Sequence, residues 1–235
     1  MSVGGRSATT ATSIPVRAVL FDLDGVLVHS AAAVERSWAR WARRHGLDAD
    51  RVVAACHGRP SVETIALHAP HLDAAAEAAA LEAEQAGDTE GLTACRGAAE
   101  LIGALDGAGV PWAVVTSGTR PLAAARLSAA GHRLPEVFVT ADAVTRGKPD
   151  PEGYLAAARA LGVSPGDCVV VEDAEPGARA GRAAGAAVIG VAGGTLTGRE
   201  ETLTAFVASL ADLALEQDPV TGQALLGVTD PGKAG

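Results

Sequence analysis

Short apolar runs punctuate the chain at Val16 to Phe21, Val110 to Val115, Val137 to Val139, Cys168 to Val171 and Ala187 to Val191, with segments of helical character between them. That pattern predicts a parallel β-sheet joined by crossover helices. Roughly ninety residues separate the first two runs, far more than one crossover needs, so an inserted domain is the economical explanation. The insert reads as helical. Val34, Trp38, Trp41 and Ala42 recur at helical spacing, and an alanine- and glutamate-rich stretch runs from Leu72 to Gln85. Glycine-containing joints near Gly25 and from Gly87 to Gly97 would let it move as a unit over the sheet edge. The expected partition is a floppy tail over 1–13, a core domain over 14–30 and 94–226, a helical insert over 31–93, and a frayed tail over 227–235. Phe206-Val207-Ala208 is expected to add a last short strand.

Composition changes this picture mainly by exclusion. A formal charge of −9 argues against nucleic acid or an acidic membrane surface as partner, because both require a basic field. Met1 to Ser13 has no apolar centre and fails as a secretory signal, and no later segment is long and apolar enough to span a bilayer. Cys56, Cys95 and Cys168 are odd in number, widely spaced and without a CxxC or Cys/His metal pattern, which suits a reducing cytoplasm.

Candidate chemistry gathers at the ends of the predicted strands. Asp22 and Asp24 follow the first run in Phe21-Asp22-Leu23-Asp24-Gly25, and a strand delivers such residues to the carboxyl edge of an open α/β sheet, where ligands bind. Alternation along extended chain puts both on one side, where they can share a cation or divide nucleophilic and acid/base roles. The plainer reading is an acidic turn capping the next helix. The second run ends in Thr116-Ser117-Gly118, either an oxyanion cradle or a helix N-cap. Lys148 lies in a proline-fixed loop, aimed inward or solvated. Glu172-Asp173 closes the fourth run. Two acidic strand ends imply a divalent cation, since the carboxylates would otherwise repel, and Mg2+ prefers a few such oxygens plus waters and phosphate.

In this order, Asp22-Leu23-Asp24-Gly25-Val26-Leu27, Thr116-Ser117-Gly118, Gly147-Lys148-Pro149 and Glu172-Asp173-Ala174 with Gly177, the chain closely resembles the haloacid dehalogenase superfamily over about residues 16–210. The subgroup it resembles has a helical cap after the first strand. Within it, Glu35 to Trp38, Trp41 to Gly46, His57-Gly58-Arg59, Thr89-Glu90-Gly91 and Pro111-Trp112 look like the sugar and sugar-alcohol phosphatases, such as glycerol, deoxysugar and hexitol phosphatases. The resemblance implies an α/β, Rossmann-like parallel core with an inserted α-helical cap. It implies Asp22 as a nucleophile forming an aspartyl-phosphate, Asp24 as acid then base, and Thr116 and Lys148 as phosphoryl ligands. It also implies Ser117 and Gly118, beside Thr116, as substrate-binding residues. Mg2+ would be held by Asp22, the Asp24 backbone carbonyl and Asp173, with Glu172 acting through water or orientation. His29 departs from the aspartate that relatives often carry at the hinge.

The expected activity is Mg2+-dependent hydrolysis of a small phosphorylated sugar or polyol by a monomer or weak homodimer. A sugar phosphomutase of the same superfamily is the rival enzyme, and a phospho-ligand-binding protein without turnover the rival non-enzyme. Substrate choice is assigned to the cap, with Arg59 as the best candidate and His57 as a local hydrogen-bonding partner beside it.

Overall fold

A computed structural model describes residues 10–56 and 59–229. In chain order the elements are β1 (Thr10–Pro15), β2 (Ala18–Phe21), β3 (Val28–His29), α1 (Ala31–Arg44), α2 (Ala49–Cys56), α3 (Ser61–His68), α4 (Ala74–Gly87), β4 (Thr93–Ala94), α5 (Ala98–Ala108), β5 (Trp112–Val115) and α6 (Arg120–Ala129). They continue with β6 (Val137–Val139), α7 (Glu152–Ala160), β7 (Cys168–Glu172), α8 (Glu175–Ala183), β8 (Ala187–Val191), β9 (Ala205–Val207), β10 (Leu213–Gln217) and β11 (Ala224–Thr229).

Six strands form one parallel sheet in the order β6-β5-β2-β7-β8-β9. Every residue of β2, β5 and β7 is buried, which is why these strands read as unbroken apolar runs. Successive side chains point to opposite faces. Val19 and Phe21 join Val114, Val169 and Val171 under α5 and α6, whereas Ala18 and Leu20 join Ala113, Val115 and Val170 under α7 and α8. Because β2 lies between β5 and β7, the chain leaves all three adjacent strands at the same edge.

Four helices, α1 to α4, fill the long separation between β2 and β5, and they build a hydrophobic cluster of their own around Trp38, Trp41, Val52, Ile65 and Leu81. The two tryptophans meet edge to face at 5.5 Å, and Trp41 Nε1 donates to Glu77 at 2.9 Å. Asp73 caps α4 by accepting from the amides of Ala75 and Ala76, a contact of a kind worth about 1 kcal/mol. The antiparallel pair β3 and β4 ties the two chain crossings together, with His29 opposite Thr93.

Residues 10–13 and 227–229 differ from the sequence expectation, while 1–9 and 230–235 lie outside the described residues. The tail expected over 1–13 gives way to strand at Thr10, and that expected over 227–235 begins inside β11, because β1 and β10 pair antiparallel with β11 in a second, three-stranded sheet. Ile14, Leu213, Leu226 and Val228 close the α5 side of the core. Burying that apolar surface is what holds β1, β10 and β11 on the core.

Candidate active site

Asp22 follows β2 directly, and its amide donates to the Val171 carbonyl at 3.0 Å, so its position is fixed by the sheet ladder. Thr116 is placed in the same way after β5, its amide donating to Val139 at 3.0 Å. The Thr116 hydroxyl accepts from the Gly118 amide at 3.2 Å, while α6 begins after Thr119 without a side-chain cap; the N-cap reading of Thr116 and Ser117 is therefore replaced by a local turn. Asp22, Asp24, Thr116, Ser117, Gly118, Lys148, Glu172 and Asp173 all line one cavity of about 600 Å³. Arg59 lines it too, as an exposed residue, while His57 lies outside the described residues.

The Lys148 side chain is 9% exposed, and its ammonium donates to Asp22 Oδ1 at 2.5 Å and to Glu172 Oε1 at 2.6 Å. Burial alone would lower its pKa, but the charges of Asp22 and Glu172 override that and hold it well above the usual lysine range. The inward reading of this lysine is the one the loop adopts.

Glu172 is 1% exposed and fully engaged. Oε1 accepts from Lys148 and from Tyr154 Oη at 2.8 Å, and Oε2 accepts from the amides of Asp173 and Ala174, each at 3.1 Å. Those four contacts use the lone pairs a carboxylate offers. These contacts hold the Glu172 carboxylate against Lys148, Tyr154 and the turn into α8. Gly177 permits this geometry, since a Cβ there would fall 1.6 Å from Glu172 Oε1.

Asp22, Glu172 and Asp173 each bring one oxygen within 4.8 Å of the others. Burial, and then the neighbouring carboxylates, raise the pKa of Asp22 and Asp173 well above the ordinary carboxylate range, although the charge of Lys148 pulls both the other way. One lysine does not offset so much negative charge, and the all-oxygen donor set suits a hard divalent cation. Gly25, at φ +79°, keeps the approach to Asp173 clear; a side chain there would begin 2.0 Å from Asp173 Oδ2.

Asp24 is held differently. Its Oδ2 accepts from Arg126 Nη1 at 2.6 Å, and its buried Oδ1 has no hydrogen-bond partner. The same guanidinium donates through Nη2 to Gln85 Oε1 at 2.9 Å, and Glu82 Oε2 accepts from the Thr119 amide at 3.2 Å. Arg126, Gln85, Glu82 and Tyr154 were not anticipated. Each nevertheless leaves a trace, as a polar side chain on the apolar stripe of its helix: Arg126 beside Leu122, Ala123 and Leu127, Glu82 and Gln85 beside Ala78 and Leu81, and Tyr154 beside Ala157 and Ala158. The three cysteines are buried and free, with burial pushing Cys56 and Cys95 up to about 12 and Cys168 to about 11, so they are packed thiols.

Comparison with known proteins agrees with this geometry. A profile of haloacid dehalogenase-like hydrolases matches residues 16–185. The chain belongs to that family. Hexitol phosphatase A of Escherichia coli is 47% identical over 203 residues, covering 85% of this chain and 94% of the relative. The validoxylamine A 7'-phosphate phosphatase of Streptomyces hygroscopicus subsp. limoneus is 39% identical over 214 residues, covering 88% and 98%. Among solved structures, CbbY from Rhodobacter sphaeroides in complex with phosphate superposes with a TM-score of 0.74 at 26% identity, covering 84% of this chain and 96% of that one. The protein is an enzyme of the phosphoric monoester hydrolase class. No helix among the described residues is long and apolar enough to cross a membrane.

Proposed function

We propose that the protein is a Mg2+-dependent phosphatase of small sugar or polyol phosphates, working through an aspartyl-phosphate on Asp22 beneath a cap formed by residues 31–93. The observation that carries the reading is the convergence of Asp22, Asp24, Thr116, Lys148 and Asp173 on one cavity. The names of the relatives, for a hexitol and for validoxylamine A 7'-phosphate, support the substrate class.

A phosphate monoester is anionic and repels a carboxylate nucleophile. Mg2+, when bound, supplies the charge that offsets this repulsion, and Asp22, Asp173 and the Asp24 backbone carbonyl would hold it. Lys148 and the Thr116 hydroxyl bind the phosphoryl oxygens and orient the group for attack. An Asp22 carboxylate oxygen forms a bond to phosphorus as the ester P–O bond breaks, and the Asp24 carboxyl gives its proton to the departing alkoxide. Water then attacks phosphorus and passes a proton to Asp24, the bond to Asp22 breaks, and inorganic phosphate leaves. Glu172 keeps Lys148 in place throughout.

The test is a phosphate-release assay with Mg2+ on hexitol, glycerol and hexose phosphates, without any added bisphosphate. Free phosphate equal to the alcohol formed is expected. An isomerised sugar phosphate with no free phosphate would put a mutase in its place, and tight binding without turnover a phospho-ligand-binding protein.

A further inference from the structure

The wall of the cavity supplied by α4 and α6 has features that phosphoryl chemistry does not use. Glu82, Gln85 and Arg126 are 8%, 7% and 7% exposed, and all three line the same cavity as Asp22. Such burial of charged and amide groups has a cost unless each finds a partner. Arg126 has two, Asp24 and Gln85. Because Gln85 Oε1 must accept from the guanidinium, the orientation of the amide is fixed and Nε2 is its remaining group. That Nε2 is buried and has no partner. Glu82 uses one oxygen to accept from Thr119.

We propose that Gln85 and Glu82, anchored by Arg126, read the hydroxyl groups of the substrate's carbon chain. This rests on the phosphatase reading above and assigns its selectivity to these residues. A hydroxyl is both donor and acceptor, so a polyol can accept from Gln85 Nε2 and donate to Glu82, whereas a second phosphate offers acceptors only and meets the Glu82 carboxylate as a like charge. Placement agrees with this role. One guanidinium spans Asp24 and Gln85, so the amide stands one guanidinium's width from the acid that serves the leaving oxygen. Val34, Trp38 and Leu122 line the same space and offer apolar faces to the C–H groups of the chain.

Two near-isosteric variants separate reading from support. Gln85→Glu keeps the acceptor for Arg126 but turns the free donor into an acceptor, and Glu82→Gln keeps an acceptor for the Thr119 amide but removes the carboxylate. The measurement is kcat/KM on a hexitol phosphate and on p-nitrophenyl phosphate, with thermal melting to confirm folding. For each variant, the ratio of hexitol phosphate to p-nitrophenyl phosphate activity should fall roughly ten-fold, the scale of one hydrogen bond. Glu82→Gln should also gain relative activity on a sugar bisphosphate. Equal losses on the hexitol and nitrophenyl esters, or no loss on either, with an active parent enzyme, would overturn this inference alone. A parent that releases phosphate from none of the esters would overturn the phosphatase reading and this inference with it.

Discussion

The two walls of the cavity are built by opposite means. On the sheet side, Asp22 and Thr116 stand immediately after β2 and β5, fixed by backbone hydrogen bonds to neighbouring strands, and Glu172 ends β7 with four contacts to hold it. On the helical side, Gln85 and Arg126 meet through their side chains and the Glu82 side chain accepts from the Thr119 amide, across the packing of α4 on α6. A wall set by backbone geometry is suited to chemistry that is the same for every ester. Glu82 and Gln85, carried by α4 in a separately packed helical unit, can change recognition without disturbing that chemistry.

The sharpest break of this comparison is at Asp22. Asp22→Asn should lower turnover on every ester alike, on the order of 10⁴-fold or more, the scale seen when a nucleophile is removed. Folding should survive, because the amide keeps the shape, removes a buried charge that burial, Glu172 and Asp24 oppose, and leaves Lys148 its second partner, Glu172. Turnover on several esters and a thermal melt check both parts. A variant that retained substantial turnover would end the covalent route.

Glu172→Ala should be the costliest change to the sheet wall in stability. It strips Lys148 and Tyr154 of a shared partner and leaves two amides unmet, so a loss of about 3–5 kcal/mol is expected, as when one member of a buried ion pair is removed. Chemical denaturation reads this directly. By comparison, Gln85→Glu should cost less, because the new carboxylate keeps the Arg126 guanidinium as its partner.

That contrast also explains what the sequence made legible. Asp22, Asp24, Glu172 and Asp173 follow apolar runs whose only reasonable home is a buried strand, and parallel strands end at a common edge, so the sheet wall can be inferred from order along the chain. Lys148 was left between two readings because a loop does not announce its direction. The helical wall is different. Arg126 meets Gln85 across 41 positions and Asp24 across 102, and no local spacing encodes either meeting. The second sheet was missed for a related reason: β1 and β11 pair across nearly the whole chain, and β10 carries the polar pair Glu216-Gln217 that blurs its strand pattern.

Acidity should separate the apo sheet wall from the metal-bound one. Asp22 and Asp173 have pKa values raised above the ordinary carboxylate value of 3.8, so between that value and their raised ones the folded chain holds protons that the unfolded chain has released. Stability then falls as pH rises through this window. With chelator present the protein should melt higher at pH 5 than at pH 8, and Mg2+ should raise the melting temperature more at pH 8, where the carboxylates that bind it are free of protons. A chelated protein equally stable at both values would mean that these carboxylates are not held protonated.

The smallest effect belongs to the rim. Arg59 lines the cavity but is exposed, so any contact it makes with substrate is shared with water and screened. Arg59→Ala should therefore lower kcat/KM on a hexitol phosphate only a few-fold, roughly the 0.2–1 kcal/mol typical of exposed charge contacts. The loss should exceed that on p-nitrophenyl phosphate, which has no hydroxyls for a guanidinium to reach, and it should shrink as salt is added. Against this stands Gln85, buried on α4, whose contribution should be larger and indifferent to salt. Measuring both variants on both esters at low and high ionic strength ranks the two positions. If Arg59→Ala proved the more damaging and Gln85→Glu the milder, recognition would lie at the mouth of the cavity, and the helical wall would serve only to seat α4 against α6.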